Sequence, residues 1–128
     1  MRHLLIIALG GGAGALSRYG MSKIINQAAG TIFPAGTLFV NLAGSFIIGF
    51  CFHLFDNTIV PSDIRAFLTI GFLGAFTTFS TYSLETMNLI RDGEFKMGLL
   101  NVIMNNIFGF TLVIAGMVCS KLLLKVIR

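Results

Sequence analysis

Between Gly71 and Ser83 the chain reads Gly-Phe-Leu-Gly-Ala-Phe-Thr-Thr-Phe-Ser-Thr-Tyr-Ser, and the hydroxyl residues Thr77, Thr78, Ser80, Thr81 and Ser83 crowd into its second half. Hydroxyls both donate and accept hydrogen bonds. Scattered Ser and Thr on a helix usually bond back to the carbonyls of the preceding turn. This density, directly after Gly71 and Gly74, instead predicts a helix that breaks and leaves carbonyls and hydroxyls facing protein or a polar cavity. Freed carbonyls suit a cation, and hydroxyl donors suit an anion. Phe79 and Tyr82 are three residues apart and share a helix face. Apolar packing is the default for such a pair, but aromatic ring edges carry partial positive charge and can also meet an anion.

Other polar residues lie inside apolar runs. Asn41 sits in Thr-Leu-Phe-Val-Asn-Leu-Ala-Gly; an amide there either bonds a neighbouring helix or donates its NH₂ group to an anion. Asn101, Asn105 and Asn106 share another apolar run, with Asn101 and Asn105 on one helix face. Such amides are costly unless they bond across helices or line a wet path. Arg18 either snorkels to an interface or stands at a pore mouth and concentrates anions. Glu85 either pairs with Arg91 near an interface or sits in a vestibule. The run Gly10-Gly11-Gly12-Ala13-Gly14 lacks the strand and the Lys-Ser/Thr ending of a phosphate loop. Gly10 and Gly14 read as a small-xxx-small pair for close helix packing. His3 and His53 are isolated, Cys51 and Cys119 read as separate thiols, and no paired carboxylates or metal-ligand spacing mark an enzyme.

The elements that must hold these residues are membrane spans. Of 128 residues, 55% are apolar and 11% charged, against roughly a quarter charged in a soluble domain. Mean hydropathy is +0.89. Four apolar segments, approximately 4–25, 35–55, 66–90 and 97–118, each approach the roughly 20 residues needed to cross a hydrocarbon core. The connectors are short, so residues 1–128 read as a single four-helix transmembrane domain. The first segment runs well past a signal-peptide core and reads as a retained helix. The net charge of +4 is spread along the segment ends rather than in one stripe, which argues against nucleic-acid binding.

Four crossings put both termini on one face. That face carries Arg2, Arg65, Lys121, Lys125 and Arg128; the other carries Arg18, Lys23, Arg91 and Lys96. Basic residues in short loops set orientation, so this near balance predicts insertion both ways up. A chain this small has little room for a wide path inside one copy, and an antiparallel homodimer is the expected working unit.

The patterns Gly-Gly-x-x-Gly-Ala-x-x-Arg-Tyr within 11–19 (allowing one residue's freedom), Gly-Thr-Leu-x-Val-Asn over 36–41 and Gly-x-x-Thr-Thr-Phe-Ser-Thr over 74–81 resemble those of the Fluc/CrcB fluoride channels. The resemblance covers all four segments. It implies an all-α integral membrane protein with its third helix broken mid-membrane, forming an antiparallel dual-topology homodimer with two narrow pores. Such a protein exports fluoride passively across the plasma membrane and relieves fluoride toxicity. By the same resemblance, Asn41, Phe79, Tyr82, Ser80, Ser83 and Asn105 belong to the fluoride pathway and Arg18 to a vestibule. Backbone carbonyls of Gly74 and Thr77 from both subunits hold a structural Na⁺.

The chain departs from the family pattern in two respects. Tyr82 stands where Phe is common, retaining the ring edge while its hydroxyl adds a donor or narrows the path. In the fourth segment Phe110 and Ile114 interrupt a polar line, although Thr111 is close by. The rival reading is a small multidrug exporter coupled to protons, but it needs an acid in the first segment, which has none. A purely structural membrane subunit would carry the polar third segment at a cost without using it.

Overall fold

A computed structural model describes residues 1–127. Helix α1 is Arg2–Ala29 and α2 is Ala35–Asn57. Helix α3 covers residues 62–76, an α-turn Ser62–Arg65 followed by a π-helical stretch Ala66–Leu73 and a last α-turn Gly74–Phe76. Helix α4 is Phe79–Arg91, and α5 is Phe95–Ile127 with a π-helical segment Met104–Phe108 inside it. Counting α3 and α4 as one span, four helical spans are long and apolar enough to cross a membrane.

Except at the start of α2, the spans begin and end beyond the apolar runs. Hydropathy detects where side chains leave water, whereas helical hydrogen bonding continues into polar flanks. Thus Asn26, placed by hydropathy in a connector, is still helical: its carbonyl accepts from the N–H of Gly30, whose left-handed backbone (φ 57°) ends α1. Asn26 Oδ1 also accepts from Gly36 N at 2.7 Å, clasping the end of α1 to the start of α2. The 33 residues of α5 make about 50 Å of helix, well over a hydrocarbon core of about 30 Å.

Glycines set the closest approaches. A Cβ on Gly14 would lie 2.2 Å from the Phe72 carbonyl oxygen, and one on Gly10 2.6 Å from that of Phe67, so the glycine pair of α1 lies directly on α3. On the other side, Cβ atoms at Gly49 and Gly116 would each come within 2.1 Å of a carbonyl oxygen, of Val113 and Phe46 respectively, locking α2 to α5. Without a hydrophobic driving force between helices in lipid, such backbone proximity supplies the packing energy. Gly49→Val is therefore expected to overpack this seam by about 1–3 kcal/mol, measured as a lowered melting temperature of the detergent-purified protein.

The outward face is apolar, with Leu16, Phe110 and Ile114 largely exposed, whereas the interior is unusually polar. Thr37, Thr78, Thr86, Asn101 and Ser120 are all buried. Ser120 is paired with His53, whose Nδ1 lies 3.2 Å away. Of the remaining four, Thr78 lies at the interruption between α3 and α4, Thr37 bonds Glu85, and Asn101 bonds Thr86.

Candidate functional site

The helical path is interrupted at Thr77 and Thr78, whose backbones are extended (φ −88°, ψ 158° and φ −153°, ψ 120°). An interruption strands backbone groups that a continuous helix would satisfy. Thr77 still reaches back, its N–H and its Oγ1 both donating to the Leu73 carbonyl at 3.0 Å. Thr78 starts the next helix: its Oγ1 accepts from the Thr81 N–H at 3.2 Å, the N-cap arrangement. Thr78 Oγ1 also donates to Thr81 Oγ1 at 3.0 Å and lies 3.4 Å from Ser80 Oγ. Part of the hydroxyl density of this segment thus serves as a cap.

Asn41 of α2 handles the rest. Its Oδ1 accepts from the Thr78 N–H at 2.8 Å, and its Nδ2 donates to the Thr78 carbonyl at 3.1 Å and to Asn105 Oδ1 at 2.9 Å. Since a backbone N–H only donates, the amide orientation is forced. Thr78 N–H is thereby directed to Asn41 and not to the Gly74 carbonyl, its partner on an unbroken helix. From Asn41 the bonds run one way. Asn105 Nδ2 donates to Asn101 Oδ1 at 2.9 Å, Asn101 Nδ2 to Thr86 Oγ1 at 2.9 Å, and Thr86 Oγ1 to the Tyr82 carbonyl at 2.8 Å. Such a same-direction chain polarises each member and stiffens the group. The asparagines of the fourth span therefore bond across helices, to α2 and α4.

Phe79 and Tyr82 meet edge to face, centroids 5.5 Å apart and planes at 63°. Tyr82 is 8% exposed and Phe79 78%, so the pair has one buried ring and one on the open side. Beside them opens a cavity of about 410 Å³, lined among others by Asn41, Thr78, Phe79, Tyr82, Asn105 and Asn106. Gly74 and Thr77 also reach it, and among the described residues no charged side chain lines it. It offers neutral amide, hydroxyl and carbonyl groups beside aromatic edges.

Of the residues singled out from sequence, Asn41, Phe79, Tyr82, Asn105, Gly74 and Thr77 converge on this cavity, and Ser80, Ser83 and Arg18 are not among its lining residues. Ser83 Oγ donates to the Phe79 carbonyl at 2.8 Å, the ordinary back-bond of a helical serine. Arg18 Nη1 donates to the Thr77 carbonyl at 3.2 Å, bringing a cation to the interruption. Glu85 does not pair with Arg91, which lies 3.5 Å from Asp92. Glu85 Oε1 accepts from Thr37 Oγ1 at 2.9 Å while its buried Oε2 has no partner among the described residues, beside a second cavity of about 510 Å³ near Asn26 and Asn88. Thr78 was missed as a site residue, although Thr-x-x-Thr at a suspected break is a helix-start signal. Asn106, read from sequence only as one of three amides in an apolar run, also lines the cavity.

Comparison with known proteins reaches the whole chain. Residues 5–117 match the family described as "CrcB-like protein, Camphor Resistance (CrcB)". A "Fluoride-specific ion channel FluC" of Parabacteroides distasonis is 40% identical over 128 residues, covering 100% of both chains. Proteins of the same name from Desulforapulum autotrophicum and Magnetococcus marinus are 41% and 43% identical, covering 96% and 91% of this chain and 100% and 96% of their own. With four spans, an interrupted helix clamped by a buried asparagine, and this extent of match, the chain belongs to the CrcB-like family.

Proposed function

We propose that this protein is a fluoride-selective channel of the plasma membrane that lets fluoride leave the cell passively and so relieves its toxicity. The observation that carries the reading is the cavity beside Thr78, polar yet free of charged lining side chains, set among helices apolar enough for a membrane. The name shared by its relatives supplies the ion. Moving a bare anion into apolar surroundings costs tens of kcal/mol unless its hydration is replaced. Fluoride is small and strongly hydrated, so it needs several close donors. Asn41, Asn105 and the aromatic edges supply them without a fixed charge that would hold the ion too tightly to release it. Both Asn41 N–H groups are engaged in the protein, so an ion taking one displaces Asn105 or the Thr78 carbonyl. Helix α1 holds no acid to carry proton-coupled exchange of the multidrug type.

The working unit in this reading is an antiparallel homodimer with two pores, one for each cavity, and the third span broken at mid-membrane. Supporting it are the near balance of basic residues between the two faces and the openness of the site in one protomer, where Phe79 is 78% exposed. A second copy closes each cavity.

A structural Na⁺ belongs to the same reading, and the donor groups fit it. Carbonyl oxygens are suitable ligands for an alkali cation; the Gly74 carbonyl is deprived of Thr78 N–H, and Thr77 presents its carbonyl at the interruption while sharing it with Arg18. One chain offers two such carbonyls, so the dimer offers four. When bound, the ion adds positive potential near both pores. Protein prepared in a large organic cation instead of Na⁺ is expected to melt at lower temperature and to dissociate more readily, with recovery on adding Na⁺.

The reading is tested by anion efflux from liposomes containing the purified protein under equal gradients. Fast fluoride efflux with negligible chloride efflux is expected. Equal rates for the two anions, or no fluoride efflux from a folded dimer, would refute it.

A further inference from the structure

Tyr82 carries a hydroxyl whose hydrogen has a defined place to go. Asn106 Nδ2 lies 2.8 Å from the Val102 carbonyl oxygen and 3.1 Å from Tyr82 Oη. A carbonyl only accepts, so the nearby amide atom must be the NH₂ group, and both of its hydrogens are spent. The phenol oxygen is therefore the acceptor in the bond with Asn106. Its own O–H hydrogen remains, and among the described residues no group accepts it. The ring is buried in the wall of the 410 Å³ cavity, so this donor is not simply washed by bulk water.

The π-helical segment Met104–Phe108 explains how Asn106 gets there. On an α-helix consecutive side chains point about 100° apart. The wider π turn reduces that angle, and Asn105 and Asn106 both reach the same cavity, one toward Asn41 and the other toward Tyr82. Such π turns within α-helices frequently occur at functional sites.

We propose that Tyr82 donates its O–H to the anion in this cavity, and that Asn106 is the positioning residue that fixes the hydroxyl in the donating sense. This rests on the fluoride reading above and adds to it a hydroxyl ligand and a residue that selects its polarity. Asn106 does not touch the ion; by filling the acceptor side of Oη it leaves the hydrogen to face the cavity. An additional donor favours a small, strongly hydrated anion over a larger one.

The test is a double-mutant cycle in the liposome efflux assay, using Tyr82→Phe, Asn106→Leu and the pair, each checked for dimer size and melting temperature. Tyr82→Phe removes one hydroxyl and keeps the ring. A hydrogen bond to a charged partner corresponds to roughly tenfold or more, so fluoride flux is expected to fall about tenfold while the dimer persists. Asn106→Leu should lower flux less than Tyr82→Phe, and should add nothing once Tyr82 is Phe. If Asn106 matters only for packing of α5, its loss lowers flux equally in both backgrounds, and its positioning role is overturned. Should Asn106→Leu misfold, Asn106→Ala serves in the same cycle. Unchanged flux in Tyr82→Phe overturns the hydroxyl ligand and leaves the fluoride channel standing; absence of fluoride flux in the unmodified protein overturns both.

Discussion

Asn41→Leu is expected to abolish measurable fluoride efflux, a fall of at least about 100-fold, and also to lower the stability of the folded protein. The side chain makes three hydrogen bonds, to the Thr78 N–H, the Thr78 carbonyl and Asn105 Oδ1. Leucine has nearly the same volume and can satisfy none of them. Each group left unpaired costs about 1–3 kcal/mol, and the interruption between α3 and α4 loses its cross-brace. Sequence reasoning alone would expect a lesion of permeation in an intact dimer; the clamp on Thr78 makes the lesion one of structure as well. Asn41→Asp separates the two effects. It keeps the acceptor for Thr78 N–H but loses both donors and brings a negative charge to the cavity. Fluoride flux should be as low as in the leucine variant, with a melting temperature between that of the leucine variant and that of the unmodified protein. Flux near normal in both variants of the purified protein would remove Asn41 from the pathway.

Phe79→Ile is expected to cut fluoride efflux at least tenfold with little change in melting temperature. Phe79 is 78% exposed in the protomer and makes no hydrogen bond through its side chain, so the fold draws little on it. Its evident contact is the edge-to-face meeting with Tyr82 at 5.5 Å, a geometry worth about 0.5–1.5 kcal/mol beyond burial. Isoleucine is apolar and of comparable bulk but has no electropositive ring edge. A large loss of flux with a stable dimer therefore assigns the ring's electrostatics to permeation. Phe79→Met supplies the control for shape, since it too lacks the edge. If both variants conduct normally, the aromatic pair packs helices and does no more.

The contrast between these two variants marks where sequence reasoning reached its limit. Asn41 and Phe79 both looked like pathway residues, one by its polarity in an apolar run and one by its place in a distinctive pattern. Only the packed structure separates a residue that braces the backbone from one that lies open in the cavity. Ser83 and Arg18 show the same limit from the other side. A serine in a polar cluster and an arginine near a span end invite functional readings, and nothing in either segment reveals that the first bonds the Phe79 carbonyl of its own helix and the second the Thr77 carbonyl.

What the amino-acid sequence determined by itself is whatever depends on local composition and spacing. Apolar runs of membrane length specify four spans, Gly10 and Gly14 specify a close helix contact, and the Thr-Thr-Phe-Ser-Thr stretch marks a place where a regular helix is poorly supported. The tertiary structure decided the pairings. Asn41 finds Thr78 at a separation of 37 residues and Asn105 at 64, and no periodicity within one segment encodes those distances. It also decided the π turn that brings Asn105 and Asn106 to one cavity, where a regular helix would splay them apart. The physical reason is that hydrophobicity acts on each segment separately, whereas a buried amide must find a partner on whichever helix packing brings within 3 Å or so.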